Sequence, residues 1–473
     1  MKTPHRGSSA SRAGRLPRRD FLLTGLGAAA AGALPAGVRT RRARAADLAG
    51  AGRARNLIFL VPDGMSAGTL TLDDLHRHML DGRPSRWIEL FSEHGARRAL
   101  METASLDGHV TDSAAAASAW GIGQRVYNGS VNTTSDGREP APLFVRAARR
   151  GMAQGLVTTT RLTDATPAGF VANALRRSFE PQIAQQIVER GVDVLLGGGG
   201  RYLTDEVLGE GVAPRVMRTR DELLGMKGGQ AGRVVGIFAE DHMNYEIDRR
   251  ADEPSLAEMT AAALTALQDR PDGFILHIEG ARVDHAAHAN DAVGLVHDMR
   301  AFDDALSVAA DFCLERGDTL LIAATDHANA NPGLASYAPD GTLQFERLLK
   351  AEHSLAWVLR ELGAHPRRLE TTDALVELIA RGLKITLRDE EIRTLDRWVS
   401  GESVDPYDRR NRRTSPIGSL ISNHFGVAFT GPDHTSDHVE ALALGPGAER
   451  LAPFIGIEKL HDLAVESLGL EPA

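Results

Sequence analysis

Short apolar runs alternate with stretches of helical periodicity from about residue 56 to the end of the chain. The runs at 56–61, 155–159, 193–196, 234–238, 273–278, 319–325, 425–429 and 439–444 are predominantly apolar without strict alternation, the pattern of strands buried on both faces. Between them, apolar residues recur at helical spacing over 113–121, 167–177, 255–267, 291–315 and 374–381. Pro167 opens one of these, in a first turn where its missing N–H costs nothing. The alternation predicts an α/β fold: a large, mostly parallel central sheet with helices on both faces and its active site at the carboxyl edge of the strands.

The segment 337–422 breaks the pattern. It is rich in charge, as at Arg367-Arg368, Arg388-Asp389-Glu390-Glu391 and Asp408-Arg409-Arg410-Asn411-Arg412-Arg413, and lacks buried-strand runs. Leu355, Val358, Leu359 and Leu362 keep helical spacing, so it reads as a mainly helical, cap- or crown-like insertion over the catalytic edge. Residues 46–336 would then form the first part of the core and 423–473 complete it.

Residues 1–45 stand apart from the fold. Arg18-Arg19-Asp20-Phe21-Leu22 leads into a weakly apolar Ala/Gly stretch and then Ala43-Arg44-Ala45, a small-x-small cleavage pattern. Twin arginines before Phe-Leu predict a twin-arginine export leader, and hence a periplasmic or secreted protein. The segment carries ten Lys/Arg and one acid, so the formal charge of −9 becomes about −18 once it is removed. That excess of acid argues against nucleic-acid binding, which needs Lys and Arg for phosphates, and suits multivalent cations. No later run could span a bilayer. With Cys313 the only cysteine, an intramolecular disulfide is excluded; its place in a helical apolar pattern marks it as buried.

Candidate chemistry gathers where strands end. Asp63-Gly64 follows the first run, Glu279 ends the run at 273–278, Asp284 and His288 lie four apart after it, Asp326-His327 ends the next, and His434 precedes another. Asp/His mixtures suit Zn²⁺, whereas an oxygen set with Thr and Glu favours Mg²⁺. Ser113, in Asp112-Ser113-Ala114-Ala115, sits at a strand-to-helix junction where helix N–H groups face its oxygen. Serine in that place is ordinarily a helix cap. Metal ligands at successive strand ends make it a candidate nucleophile instead.

With these residues in view, the chain resembles the alkaline phosphatase family, bacterial and exported. The motifs are VPDGM at 61–65, VTDSAAAASAWGIG at 110–123, TDATPAGFVANALRR at 163–177, HIEGARVDHAAH at 277–288, ATDHANANPG at 324–333 and DHTSDHVEALALGPGA at 433–448. The resemblance implies a phosphate monoester hydrolase working through phosphorylated Ser113, with two Zn²⁺ and one Mg²⁺ per chain. Asp284, His288 and His434 would hold one zinc; Asp326, His327 and Asp63 the second; Asp63, Thr166 and Glu279 the magnesium. Arg177 would clamp phosphate oxygens, and Asp112, Asp164 and His285 would stand behind these groups. A homodimer is left open.

Two rivals remain. A phosphodiesterase of the same superfamily would use the same centre with a pocket shaped by the insertion. A secreted, non-catalytic metal- or phosphate-binding protein would need neither Ser113 nor Arg177. A sulfatase is disfavoured, because Ser113 is followed by Ala-Ala-Ala.

Overall fold

The computed structural model describes residues 53–209, 216–226, 232–335, 337, 340–363, 372–404 and 414–471. The predicted export leader, Arg367-Arg368 and the basic run at 408–413 lie outside the described residues.

The fold is built on a sheet of ten strands among the described residues: β1 (Asn56–Val61), β2 (Arg97–Glu102), β3 (Ala153–Arg161), β4 (Val194–Gly198), β5 (Val216–Met217), β6 (Val234–Ala239), β7 (Phe274–Glu279), β8 (Thr319–Ala324), β13 (Val439–Leu444) and β14 (Phe454–Gly456). Two further pairs lie outside it: β9 (Ala328–Asn329) with β12 (His434–Thr435), and β10 (Gly333–Leu334) with β11 (Val427–Ala428). The main sheet runs β14-β2-β13-β8-β1-β7-β3-β4-β6-β5. Its pairings are parallel except those of β13, which is antiparallel to both β8 and β2.

Side chains of β1 alternate between two cores. Ile58 and Leu60 pack with helices Ala67–Asp81, Leu256–Leu267 and Ala292–Arg316, while Leu57, Phe59 and Val61 pack with Ser113–Ile122, Ala165–Val171 and Lys459–Leu468. Both faces are covered, which is why the central strands read as mostly apolar runs. Cys313 is buried in the first core, donating to the Thr319 carbonyl at 3.0 Å, and burial pushes its thiol up to about 12.

The described residues of 337–422 are mainly helical, with helices at Asp340–Phe345, Leu355–Gly363, Thr372–Leu383, Asp389–Val399 and Ser415–Ser422. Leu355, Val358, Leu375, Leu378 and Leu395 join the first core. This segment is tied to the start of helix Ala292–Arg316: the Leu355 N–H donates to Asp291 at 2.8 Å, and the Ser422 hydroxyl donates to the Asn290 carbonyl at 2.8 Å. Among the described residues, no helix is long and apolar enough to cross a membrane.

Two expected elements differ. The helix expected over 167–177 is Ala165–Val171 only, because the Asn132 amide takes the Gly169 and Ala172 carbonyls at 2.7 Å each and Ala174 bridges Val131. Arg177 therefore projects from a loop. The strand expected over 425–429 is interrupted by Gly426 at φ +71°, which ends a 3₁₀ turn and leaves only Val427–Ala428 to pair. β2 escaped notice because two arginines open it and a glutamate closes it, leaving only Ala99, Leu100 and Met101 as an apolar run too short to read as a strand.

Candidate active site

The four central strands β8, β1, β7 and β3 lie side by side, so their carboxyl ends deliver Asp326-His327, Asp63, Glu279 and the Asp164–Thr166 turn to one place. Because β13 runs the other way, the residues that precede it arrive at the same edge. That is how His434 comes to face a residue from the end of β8 more than a hundred positions earlier, their rings stacked at 3.5 Å. Gly64, at φ +71°, makes the approach of Asp63 to Asp284 feasible: a Cβ there would meet Asp284 Oδ1 at 2.7 Å.

Asp112, not Ser113, caps the helix Ser113–Ile122. The Asp112 carboxylate accepts from the Ala115 N–H at 3.0 Å and the Gly129 N–H at 3.1 Å. Ser113 is thereby released from capping and begins the helix, with its Oγ 3.2 Å from His327 Nε2. The helix lies tight against Ala165–Val171, where a Cβ on Gly169 would stand 2.5 Å from that of Ala117. The contact fixes Thr166 relative to Ser113.

Two groups of side chains converge with the geometry of cation sites: Asp284, His288 and His434, and Asp63, Asp284 and His327, the ligand atoms of each lying within 4.8 Å of one another. His288 Nδ1 faces the Pro432 carbonyl at 2.5 Å and His434 Nδ1 the Thr111 carbonyl at 2.9 Å. Each carbonyl takes the ring N–H, so both Nε2 lone pairs point inward. Asp326 stands with the second group: its Oδ1 accepts from the Gly64 and His327 N–H groups at 3.1 Å each, and its Oδ2 is 3.1 Å from His327 Nε2. Buried Asp63 Oδ1 and Asp326 Oδ2 have no hydrogen-bond donor. Acceptors buried without donors fit a site built for cations.

The charges agree. Burial, then the neighbouring Asp326, Asp284 and Glu279, pushes Asp63 well above the usual carboxylate range. Burial would also raise Asp284, yet His288 and His434 beside it carry it well below that range. Thr158 donates to Glu279 at 2.5 Å and Thr166 to Asp63 at 3.5 Å, an all-oxygen group; burial pushes Glu279 up to about 8.

Arg177, 37% exposed, bridges two acids: one terminal nitrogen donates to Asp112 at 3.2 Å and the other to Asp164 at 3.0 Å. Burial would raise Asp164, but Arg177 and Arg161 hold it near about 2. His285 rests 2.8 Å from the Arg282 guanidinium and edge-on to His242 at 4.6 Å, and burial together with Arg282 pushes it well below its ordinary value. Three participants were missed in the sequence: Asn329, whose amide donates to Asp284 at 2.6 Å, Arg161 and His242. Asn329 stands three residues after Asp326, and only that proximity could have marked it.

A serine released from capping at a helix start, two groups of side chains with cation-site geometry and a guanidinium stand at one sheet edge, an arrangement suited to hydrolysis of phosphate esters. The alkaline phosphatase family model matches residues 54–459. Alkaline phosphatase 3 of Bacillus subtilis is 30% identical over 84% of this chain and 85% of its own. The repressible alkaline phosphatase of Saccharomyces cerevisiae is 33% identical over 82% of this chain and 75% of its own. The crystal structure of Thermus thermophilus alkaline phosphatase superposes with a TM-score of 0.80 at 30% identity, covering 89% of this chain and 93% of that one. The chain belongs to the alkaline phosphatase family and is a phosphatase.

Proposed function

We propose that this enzyme hydrolyses phosphate monoesters through a phosphoserine at Ser113. The observation that carries the reading is that Asp112 takes the capping role, leaving the Ser113 hydroxyl free at a helix N-terminus, 3.2 Å from His327. Ser113 Oγ bonds to phosphorus as the ester P–O bond breaks, its proton leaving with the departing alcohol; water then displaces Ser113, which regains a proton as inorganic phosphate is released. The N–H groups at the start of Ser113–Ile122 and the Arg177 fork orient the phosphoryl oxygens.

Asp284, His288 and His434 would hold one zinc, Asp326, His327 and Asp63 a second, and Asp63, Thr166 and Glu279 a magnesium. Bound there, the cations would lower the pKa of the attacking oxygen and offset charge on the phosphoryl group. Asp164 would support the magnesium site. The segment 337–422 would act as a cap- or crown-like insertion over the catalytic edge, and the twin-arginine leader would send the protein to the periplasm or beyond. One sample answers the substrate question: metal content by mass spectrometry, with hydrolysis rates for a nitrophenyl monoester and the corresponding bis-ester. Monoester turnover should dominate. A faster bis-ester would replace this reading with a diesterase.

A further inference from the structure

We infer that Arg161 is a positioning residue that sets the phosphate-binding pose of Arg177 by sharing Asp164 with it. The inference rests on the proposed role of Arg177 as the phosphate clamp.

Arg161 ends β3 and is 17% exposed. All three of its guanidinium nitrogens are engaged: one donates to Asp164 Oδ2 at 3.1 Å, one to Glu180 at 2.7 Å, and the third to Asp241 at 2.6 Å, beside His242 Nε2 at 2.7 Å. Glu180 is itself fixed by the Thr163 hydroxyl at 2.7 Å. The other oxygen of Asp164 accepts from Arg177 at 3.0 Å and from the Ala165 N–H at 2.7 Å. Arg177 continues the chain to Asp112, which caps the nucleophile helix.

Arg161 therefore acts on Arg177 through one carboxylate. With both oxygens occupied, Asp164 holds Arg177 by a single terminal nitrogen. Without Arg161, the whole carboxylate charge falls to Arg177, whose planar fork can close on both oxygens and turn from the phosphate. Lysine supplies the charge without the fork, so it can reach Asp164 only by releasing Glu180 or Asp241.

The test compares holoenzymes of wild type, Arg161→Lys, Arg161→Met, Asp241→Asn, Arg177→Ala and Arg161→Met/Arg177→Ala. The readouts are the inhibition constant of inorganic phosphate, the kcat and KM split, and Tm. Arg161→Met should weaken phosphate inhibition about tenfold and raise KM more than it lowers kcat, with Arg161→Lys intermediate. Asp241→Asn, altered at a half-exposed outer anchor, should shift the same constant in the same direction by about twofold without changing Tm. In the double variant the Arg161 effect should vanish, since no clamp is left to position. If Arg161→Met does not fold, Arg161→Lys and Asp241→Asn decide. Phosphate inhibition at the wild-type value in the folded variants, or an additive loss in the double, overturns the inference. An unchanged constant in Arg177→Ala instead overturns the role of Arg177 on which it rests.

Discussion

His288 and His434 face each other through their Nε2 atoms at 3.1 Å, while each ring spends its Nδ1 on a backbone carbonyl. Two inward lone pairs at that distance repel unless a cation lies between them or one ring takes a proton. Asp284, 3.3 Å from His288 and 3.5 Å from His434, completes a set suited to zinc. Chelation should therefore abolish turnover and lower Tm by about 5 °C, with Tm restored by Zn²⁺. Calorimetry before and after dialysis against a chelator checks this; an unchanged Tm with metal fully removed would count against a ligand role for this trio.

Arg177→Ala should weaken binding of substrate and inorganic phosphate by about 1–3 kcal/mol while leaving measurable turnover. Competitive inhibition by phosphate reads the effect without involving the chemical step.

The oxygen group of Asp63, Thr166 and Glu279 leads to a different expectation. Enzyme stripped of metal should recover fully only with Zn²⁺ and Mg²⁺ together, and remain slow with Zn²⁺ alone. Full recovery on Zn²⁺ alone, with three zinc ions per chain, would show that the third position is not a magnesium site.

Most of the fold was legible because strands covered on both faces must be mostly apolar, as β1, β7 and β8 are apart from Asn56, His277, Glu279 and Thr319. The site was legible for a related reason: parallel strands deliver whatever follows them to one edge. What the sequence hid is tertiary. Nothing in the local spacing around Asn132 says that its amide will take two carbonyls and end the helix at Val171, and so place Arg177 on a loop. Arg161 reads as an ordinary charged residue at a strand end until Glu180 and Asp241, from other elements, close around it.

Acid should destabilise the fold through histidines buried in neutral form. Burial pushes His277 and His76 down to about 3 and His297 to about 4. His277 lies fully buried on β7, stacked on Phe170 at 4.3 Å. In the unfolded chain each ring gains a proton near pH 6.5, whereas in the fold it does not until the depressed value is reached. The stability they contribute is thus present above pH 6.5 and lost as pH falls from there toward about 3–4, by up to about 1.4 kcal/mol per pH unit for each ring. Urea unfolding from pH 7 to 4.5 should show His277→Phe losing less stability than wild type. Parallel curves would remove His277 from the explanation.

The central claim is that Ser113 carries the phosphoryl group. Enzyme incubated with labelled phosphate at acid pH, quenched and digested, should yield a single phosphorylated peptide with the label on Ser113. Ser113→Ala should yield none and should turn over monoesters several orders of magnitude more slowly with its metal content intact. Label on any other residue, or near-normal turnover by Ser113→Ala, would contradict the account.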